Sequence, residues 1–364
     1  MAGIYIHVPF CTVKCAYCDF YSVARPDMAD AYIEAIGREY AARRNEISGE
    51  KISTIYIGGG TPSLLSPEQF ERLTSFFELD GINEFTIEVN PDDVSPAKVD
   101  TWIGCGINRV SIGVQSLDDN ELKTVGRRHN ARQALDAIAL IQRKGITNIS
   151  GDLIYGLPGQ DIDSFKRSLS ALIDTGITHL SAYCLSFEEG TRLWRWLEQG
   201  RVSQADDSLI EDMYTLLCRQ CSEAGFEHYE ISNFAKPGFR SRHNSSYWRE
   251  VPYLGLGPGA HSLDINGMRH YVPSDIRAYI TNPESAALID EESDTDRAND
   301  RIMTSLRTAE GIDMSCFTPS QQRAIEKSAM PHLASGHLTA TGRGYAIPEQ
   351  AFLISDAIIR DLLL

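Results

Sequence analysis

The sequence lacks long apolar runs and any excess of basic residues. No stretch reaches the roughly 18 uninterrupted apolar residues of a membrane-spanning helix, so we expect no integral membrane segment. Lysine and arginine number 34 against 50 acidic residues, which gives a net charge of −16. Because an acidic surface repels a phosphate backbone, nucleic acid is not an expected partner. The segment "MAGIYIHVPFC" has neither the basic nor the apolar region of a secretory signal, and we expect a cytoplasmic location.

Cysteine is also scarce, because the 364 residues include only 8 cysteines, too few for a disulfide scaffold. Three of them nevertheless fall within "CTVKCAYC", as Cys11, Cys15 and Cys18. In a reducing compartment such a cluster indicates a metal or redox site. Three thiolates can bind three irons of a [4Fe-4S] cube and leave the fourth iron open. A zinc site completed by Asp19 or a distant histidine is the alternative.

The first part of the chain alternates between strand-like and helix-like patterns. Six short segments rich in β-branched and apolar residues are predicted strands: "GIYIHV", "ISTIYIG", "EFTIEV", "RVSIGV", "NISGDLIY" and "HLSAYCL". Strands that alternate with helices form a parallel sheet, and right-handed crossovers curl it into a full or partial barrel. The predicted fold class is therefore α/β. We place the barrel in residues 1–225 and a smaller α+β domain in residues 226–364.

Capping signals predict several helix boundaries. "SPEQ" places Ser66 at an N-cap with Gln69 at the third helical position, and a further helix follows Asn130. The acidic run over residues 290–301 is interpreted as a solvated loop that leads into a helix from Arg301. Glycines with positive φ are predicted to end helices at the C′ position: Gly81, Gly106, Gly145 and Gly176.

Polar residues follow the predicted strands at their carboxyl ends. Strand two ends in "GGGTPS", where three glycines allow a ligand to approach the backbone closely. Glu88, Gln115 and Asp152 come at the ends of strands three, four and five. Each alone could be a surface residue or a cap. Together they lie where parallel α/β barrels build their active sites.

Other cysteines and one histidine carry weaker signals. "CRQC" places Cys218 and Cys221 on one predicted helix without a partner pair, so we interpret them as buried thiols and not as a redox site. Cys184 ends the sixth strand and is a candidate for the lining of a strand-end pocket. His7 precedes the cysteine cluster and is interpreted as a wall of the site.

The cysteine spacing, with Tyr17 before the last cysteine, resembles the radical S-adenosylmethionine enzymes. The resemblance implies a partial (β/α)6 barrel and a [4Fe-4S] cluster on Cys11, Cys15 and Cys18. The open iron would chelate S-adenosylmethionine, and an electron from the cluster would release a 5′-deoxyadenosyl radical. An electron donor such as a flavodoxin-like protein is then an implied partner. The cofactor contacts that the resemblance implies are Tyr5, Tyr17, Gly59, Gly60, Thr61, Glu88, Gln115, Arg127 and Asp152.

Six motifs narrow the resemblance to one branch of these proteins. "YIHVPFC", "GGGTPS", "IEVNP", "GVQS", "DLIYGLPGQ" and "GLGPGAHS" are similar to the oxygen-independent coproporphyrinogen III dehydrogenases and their relatives, over nearly the whole chain. The dehydrogenases carry a fourth cysteine two residues after the third, where this chain has Phe20, and an N-terminal extension. These departures argue against the decarboxylating activity. The dehydrogenase, or another radical enzyme, is kept as the alternative function, and no catalytic residue is assigned.

The segment "HNSSYW" resembles the H-N-x-x-Y-W signature of the HemW-type haem chaperones. It implies haem as cargo, passed to an unidentified acceptor protein. His243 is a candidate ligand of the haem iron, and Tyr247 and Trp248 can pack on a porphyrin face. The alternative, from the residues themselves, is that His243 and Trp248 order an interdomain loop.

Overall fold

A computed structural model describes residues 1–364 and contains one large, mostly parallel sheet. Its centre is formed by β1 (Ala2–Val8), β2 (Ile52–Gly59), β3 (Glu84–Val89), β4 (Arg109–Gln115), β5 (Asn148–Tyr155) and β6 (His179–Cys184). These six strands pair in sequential order and all in parallel. All six predicted strands are therefore confirmed. Strands β1 and β6 do not pair with each other, so the barrel is partial.

Helices connect these strands and cover the outer face of the sheet. They are α1 (Ala29–Arg43), α2 (Pro67–Thr74), α3 (Pro96–Gly104), α4 (Asp119–Thr124), α5 (Ala131–Arg143), α6 (Ile162–Asp174), α7 (Arg192–Glu198) and α8 (Asp207–Glu223). Ser66 and Gln69 form the predicted capping box of α2, and Asn130 caps α5. Strand β1 is buried at every position except Tyr5, the near-continuous burial typical of a parallel sheet covered on both faces.

Three of the four glycine predictions are confirmed, and one is wrong. Gly106, Gly145 and Gly176 follow the cap residues of α3, α5 and α6 with positive φ. Gly81 also has a positive φ of 80°, but α2 already ends at Thr74. The six residues between them form turns and irregular chain, so Gly81 belongs to a turn before β3 and does not end a helix.

The remaining strands extend both edges of the sheet or form a small second sheet. They are β7 (Glu227–Glu230), β8 (Asn233–Ala235), β9 (Tyr253–Leu256), β10 (His261–Leu263), β11 (Arg269–Tyr271), β12 (Leu288–Asp290), β13 (Ile312–Asp313), β14 (Thr339–Ala340) and β15 (Gly344–Ala346). Strand β9 pairs in parallel with β1, and β8 pairs antiparallel with β6. The large sheet thus crosses the boundary near residue 225, and the division into two domains stays a proposal.

The later helices are α9 (Arg242–Trp248), α10 (Ile276–Thr281), α11 (Asp294–Leu306), α12 (Pro319–Ser335) and α13 (Ser355–Leu362). The prediction of a loop up to Arg301 is wrong, because α11 already begins at Asp294. Ser293 and Asp296 form a capping box there, and this local signal stabilises the helix start despite the acidic run. No helix combines the length and the apolar character that a membrane crossing requires.

Candidate functional site

A cavity of about 390 Å³ lies at the carboxyl ends of the central strands. Because parallel strands all end at the same edge of a sheet, residues far apart in sequence converge there. We name it the strand-end cavity. Eleven of the thirteen predicted site residues line it: Cys11, Cys15, Tyr17, Cys18, Gly59, Gly60, Thr61, Glu88, Gln115, Arg127 and Asp152.

The three clustered cysteines face this cavity from the loop after β1. All are free thiols, and the Cys11 sulfur lies 3.4 Å from the Thr61 hydroxyl. Arg127 donates from Nη1 to the Cys15 sulfur at 3.5 Å. Burial raises the pKa of the Cys18 thiol to about 11. Three unpaired thiols on one cavity wall fit a cluster that takes three protein ligands and leaves one iron open.

The glycine turn after β2 forms another wall of the cavity. Gly59 has a φ of 106°, and a Cβ atom there would lie 2.7 Å from the His7 ring. His7 is held in that place by hydrogen bonds with the Tyr5 hydroxyl (3.0 Å) and the Tyr21 carbonyl (2.9 Å). Only glycine satisfies both the left-handed backbone and the close approach. His7 thus supports the turn from behind.

Two partly buried carboxyl groups lie in the carboxyl-terminal halves of β3 and β5. Glu88 accepts hydrogen bonds from the Tyr56 hydroxyl at 2.7 Å and from the Gly59 backbone N–H at 3.0 Å. Burial raises the pKa of Glu88 to about 7 and the pKa of Asp152 to about 6. Asp152 accepts hydrogen bonds from the Ser111 hydroxyl at 3.1 Å. Both groups can therefore change charge near neutral pH when a cation binds beside them.

Arg127 brings a fixed positive charge to the cavity. Its Nη2 donates to the Asn90 side-chain oxygen (2.8 Å) and to the Gly113 carbonyl (2.6 Å). Its Nε is buried and has no hydrogen-bond partner. An unpaired buried donor is costly, so this atom fits an acceptor on a bound ligand, such as a carboxylate.

Sequence reasoning missed Asn90, which positions Arg127 and also donates to the Thr61 hydroxyl at 3.2 Å. Its signal was the place directly after β3, inside the motif "IEVNP". Gln115 was identified, but its φ of 67° is unusual for a residue with a side chain. The β4–β5 register shifts at this point, which turns Gln115 into the cavity. Cys184 lines the cavity as expected.

Tyr5 and His243 are not among the residues that line the strand-end cavity, and the role of Tyr5 as a cofactor contact stays a prediction. Tyr5 lies on β1, where its hydroxyl is occupied by His7, and its ring lies 6.2 Å from that of Tyr56. Its side chain packs below the strand ends, beside the rings of His7 and Tyr56.

The segment "HNSSYW" forms most of the short helix α9. The buried Glu84 carboxylate at the start of β3 accepts hydrogen bonds from the backbone N–H groups of Arg242 (2.8 Å) and His243 (2.9 Å). The Ser241 hydroxyl accepts from the Asn244 N–H at 3.3 Å. Unpaired N–H groups at a helix N-terminus attract a negative charge, and Glu84 provides it. The motif is therefore anchored to the central sheet.

His243 is fully buried, and neither ring nitrogen is free. Nδ1 hydrogen-bonds with the Thr54 hydroxyl at 2.8 Å, and Nε2 with the Tyr247 hydroxyl at 2.7 Å. The ring stacks on Tyr56 at 5.2 Å. Burial lowers the pKa of His243 to about 3, so the ring is neutral. An axial ligand requires a free nitrogen, so His243 would have to give up one of these hydrogen bonds to bind a haem iron, and its assignment as that ligand stays a prediction.

Comparisons with known proteins agree with this geometry. Residues 5–172 match the radical SAM superfamily. The heme chaperone HemW of Lactococcus lactis is 34% identical over 330 residues, covering 89% of this chain and 86% of the relative. The heme chaperone HemW of Mycobacterium tuberculosis is 32% identical over 380 residues, covering 99% of this chain and 94% of the relative.

A solved structure supports the fold. The coproporphyrinogen III oxidase HemN from Escherichia coli, described as a radical SAM enzyme, superposes with a TM-score of 0.84 at 21% identity. The alignment covers 100% of this chain and 90% of that chain. At this identity the likeness establishes the architecture alone, and family membership follows from the sequence relatives. The chain belongs to the HemW family of the radical SAM superfamily.

Proposed function

We propose that this protein is a haem chaperone, which binds haem and passes it to an acceptor protein. The observation that carries the proposal is the "HNSSYW" segment, anchored as α9 with Trp248 facing a cavity, in a chain similar to proteins named heme chaperone HemW. A haem is large, flat and apolar, so an aromatic side chain at a cavity suits it as a packing surface.

The proposal includes a [4Fe-4S] cluster on Cys11, Cys15 and Cys18. The free thiols, their common cavity and the Arg127 side chain support this ligand set. When bound, such a cluster supplies single electrons to S-adenosylmethionine at its open iron. A flavodoxin-like electron donor is part of the same proposal.

S-adenosylmethionine is proposed to bind along the strand ends, where the chemistry of the walls matches its groups. The unpaired Nε of Arg127 suits the methionine carboxylate. Glu88 and Asp152 suit positive charge on the cofactor, because a buried carboxylate gains most from a nearby cation. Gly59 and Gly60 allow close approach to the backbone. Thr61, Gln115 and Tyr17, which line the cavity, and Tyr5 on β1 complete the proposed contacts.

Phe20 supports the chaperone over the dehydrogenase. It stands where the coproporphyrinogen dehydrogenases carry a fourth cysteine, lines the strand-end cavity, and is 64% exposed. A phenyl ring cannot replace a thiol as a metal ligand or hydrogen donor. The decarboxylating activity is therefore not expected.

A two-part assay tests the proposed function. Haem is titrated into the purified protein, and we expect a saturable change in the Soret band. The loaded protein is then mixed with an apo-cytochrome acceptor, and transfer should be faster than from haem-loaded serum albumin at equal concentration. Anaerobic incubation of the reconstituted protein with S-adenosylmethionine and coproporphyrinogen III should give no protoporphyrinogen. Efficient turnover there, or no saturable Soret change, would overturn the proposal.

A further inference from the structure

A second cavity, of about 300 Å³, lies against α9 and shares no lining residue with the strand-end cavity. Ser245 and Trp248 line it from within the "HNSSYW" segment. Four arginines surround it, and we name it the arginine cavity: Arg240, Arg249, Arg301 and Arg343. The arginines come from separate segments of the chain, so sequence patterns did not indicate this site.

Two of the four arginines form the framework of the cavity. Arg301 donates to the Glu250 carboxylate at 2.7 Å and to the Cys316 carbonyl at 2.8 Å. Arg240 donates to Glu310 at 2.8 Å. Glu250 has a φ of 51°, an unusual backbone conformation that this ion pair helps to hold. These two guanidinium groups are committed to protein partners.

The other two arginines have donors to offer. Arg249 is 65% exposed, and its nearest carboxylate, on Glu310, lies 3.9 Å away. Arg343 is 83% exposed, and its nearest carboxylate, on Asp313, lies 3.8 Å away. Both distances exceed a hydrogen bond. An incoming carboxylate can therefore take charge-assisted hydrogen bonds from both side chains without breaking an existing one.

Trp248 adds a further donor and an apolar surface. Its indole N–H is buried and has no hydrogen-bond partner, although native structures pair nearly all such groups. An indole nitrogen can only donate, so its natural partner is an acceptor oxygen. Tyr229 lines the same cavity, but its side chain is buried and the Arg240 guanidinium lies 5.3 Å from its ring centre. The cavity thus combines the Trp248 ring with donors for an anion.

The negative net charge of the protein means that an anionic cargo would gain from a local basic site. The chain carries a net charge of −16, and haem carries two propionate carboxylates. Long-range repulsion would slow the approach of this ligand to most of the surface. A cluster of arginines beside the motif offers a local region where the carboxylates are attracted.

We propose that the arginine cavity binds the propionate carboxylates of haem, with Arg249 and Arg343 as the cationic contacts and the Trp248 N–H as a further donor. This inference rests on the proposed haem chaperone function. In this proposal, haem is recognised at the outer face of α9 and not at the buried His243 of the same helix.

The experiment compares haem with haem dimethyl ester, in which both propionates are uncharged. Soret titrations are run on the wild type, R249Q, R343Q and the double variant, with R132Q as the matched control. Arg132 is equally exposed, at 83%, and lies in α5 away from both cavities. Each single change should raise the Kd for haem about threefold to tenfold, as expected for partly exposed charge-assisted contacts.

The ester and a Trp248→Phe variant sharpen the test. The wild type should bind the ester about as weakly as R249Q/R343Q binds haem, and the variants should bind the ester no worse than the wild type does. Trp248→Phe keeps the aromatic face and removes the N–H, so it should weaken haem binding but leave ester binding nearly unchanged. If the wild type binds haem and ester equally, or R249Q/R343Q matches R132Q, the inference is wrong while the chaperone proposal stands. If the wild type binds no haem, the chaperone proposal itself fails.

Discussion

The strand-end cavity and the arginine cavity differ in how firmly their charged side chains are held. Arg127 and Glu88 of the first are partly buried and are held by hydrogen bonds to the ends of strands. Arg249 and Arg343 of the second are exposed and lie beyond hydrogen-bond distance of their nearest carboxylates. A cofactor that must stay in one geometry benefits from rigid, pre-organised contacts. A cargo that must leave again is better served by contacts of modest strength, since affinity is tuned mainly through the rate of dissociation.

The largest expected effect is the loss of iron from the strand-end cavity, with no change in the arginine cavity. Changing Cys15 to alanine removes one of the three proposed cluster ligands, so iron after anaerobic reconstitution should fall from about four per chain to well below one. Cys105→Ala is the matched control, because this half-buried thiol lies outside both cavities. Iron analysis and the cluster absorbance measure the outcome. Zinc bound in place of iron would contradict the ligand assignment.

A second prediction distinguishes a structural role of His243 from a role as ligand of the haem iron. Replacing this buried ring with alanine removes two hydrogen bonds and a stacked contact, so the free energy of unfolding should drop by about 2–4 kcal/mol. Tyr247→Phe removes only the Nε2 partner and should cost about 1 kcal/mol. Denaturant unfolding measures both values. The Soret position of bound haem should be unchanged in His243→Ala at low temperature, and a shifted Soret band would instead indicate a ligand role.

A smaller expected effect is the pH dependence of S-adenosylmethionine binding, which we attribute to the partly buried carboxyl group of Glu88. Its raised pKa, about 7, means that the carboxyl group is mostly neutral at pH 6 and mostly ionised at pH 7.5. Asp152 and Arg109 also act on this group, the first raising its pKa and the second lowering it. If the ionised form attracts the cationic cofactor, S-adenosylmethionine affinity should rise about eightfold over that interval. Calorimetry on Glu88→Gln should show weaker binding with most of this pH dependence lost.

The smallest effect is the response of the two cavities to salt. Raising ionic strength screens exposed charges more than buried ones. We expect haem affinity to fall about twofold to fivefold between roughly 0.05 M and 0.5 M salt. S-adenosylmethionine affinity should change less over the same range. An equal response of both ligands would remove the proposed difference between the cavities.

The sequence predicted the strand-end cavity well because its residues sit at fixed places in a repeated unit. Glu88, Gln115 and Asp152 lie in the carboxyl-terminal halves of three successive strands, and parallel pairing brings these halves together. Asn90 was not predicted as a site residue, because its role depends on the position of the Arg127 side chain. No sequence pattern indicates that position. The φ of Gln115 likewise reflects a register shift between two strands.

The region around "HNSSYW" could not be predicted to the same depth. The motif identified His243 as a candidate site residue. The burial of His243, however, depends on Thr54 of β2 and on Glu84 of β3, both far away in sequence. The arginine cavity depends on residues from position 229 to position 343, joined only by tertiary packing. The helix start at Asp294 was missed because a run of acidic residues masked a capping box.

The most direct test of two separate sites is a haem titration of a variant in which Cys11, Cys15 and Cys18 are all alanine. This protein cannot hold the cluster, but its arginine cavity is unchanged, because none of the three cysteines lines that cavity. If the two sites are separate, we expect a saturable Soret change with a Kd within about twofold of the wild-type value, since distant independent sites contribute additively. Loss of haem binding in the correctly folded variant would contradict it and place the haem at the strand-end cavity.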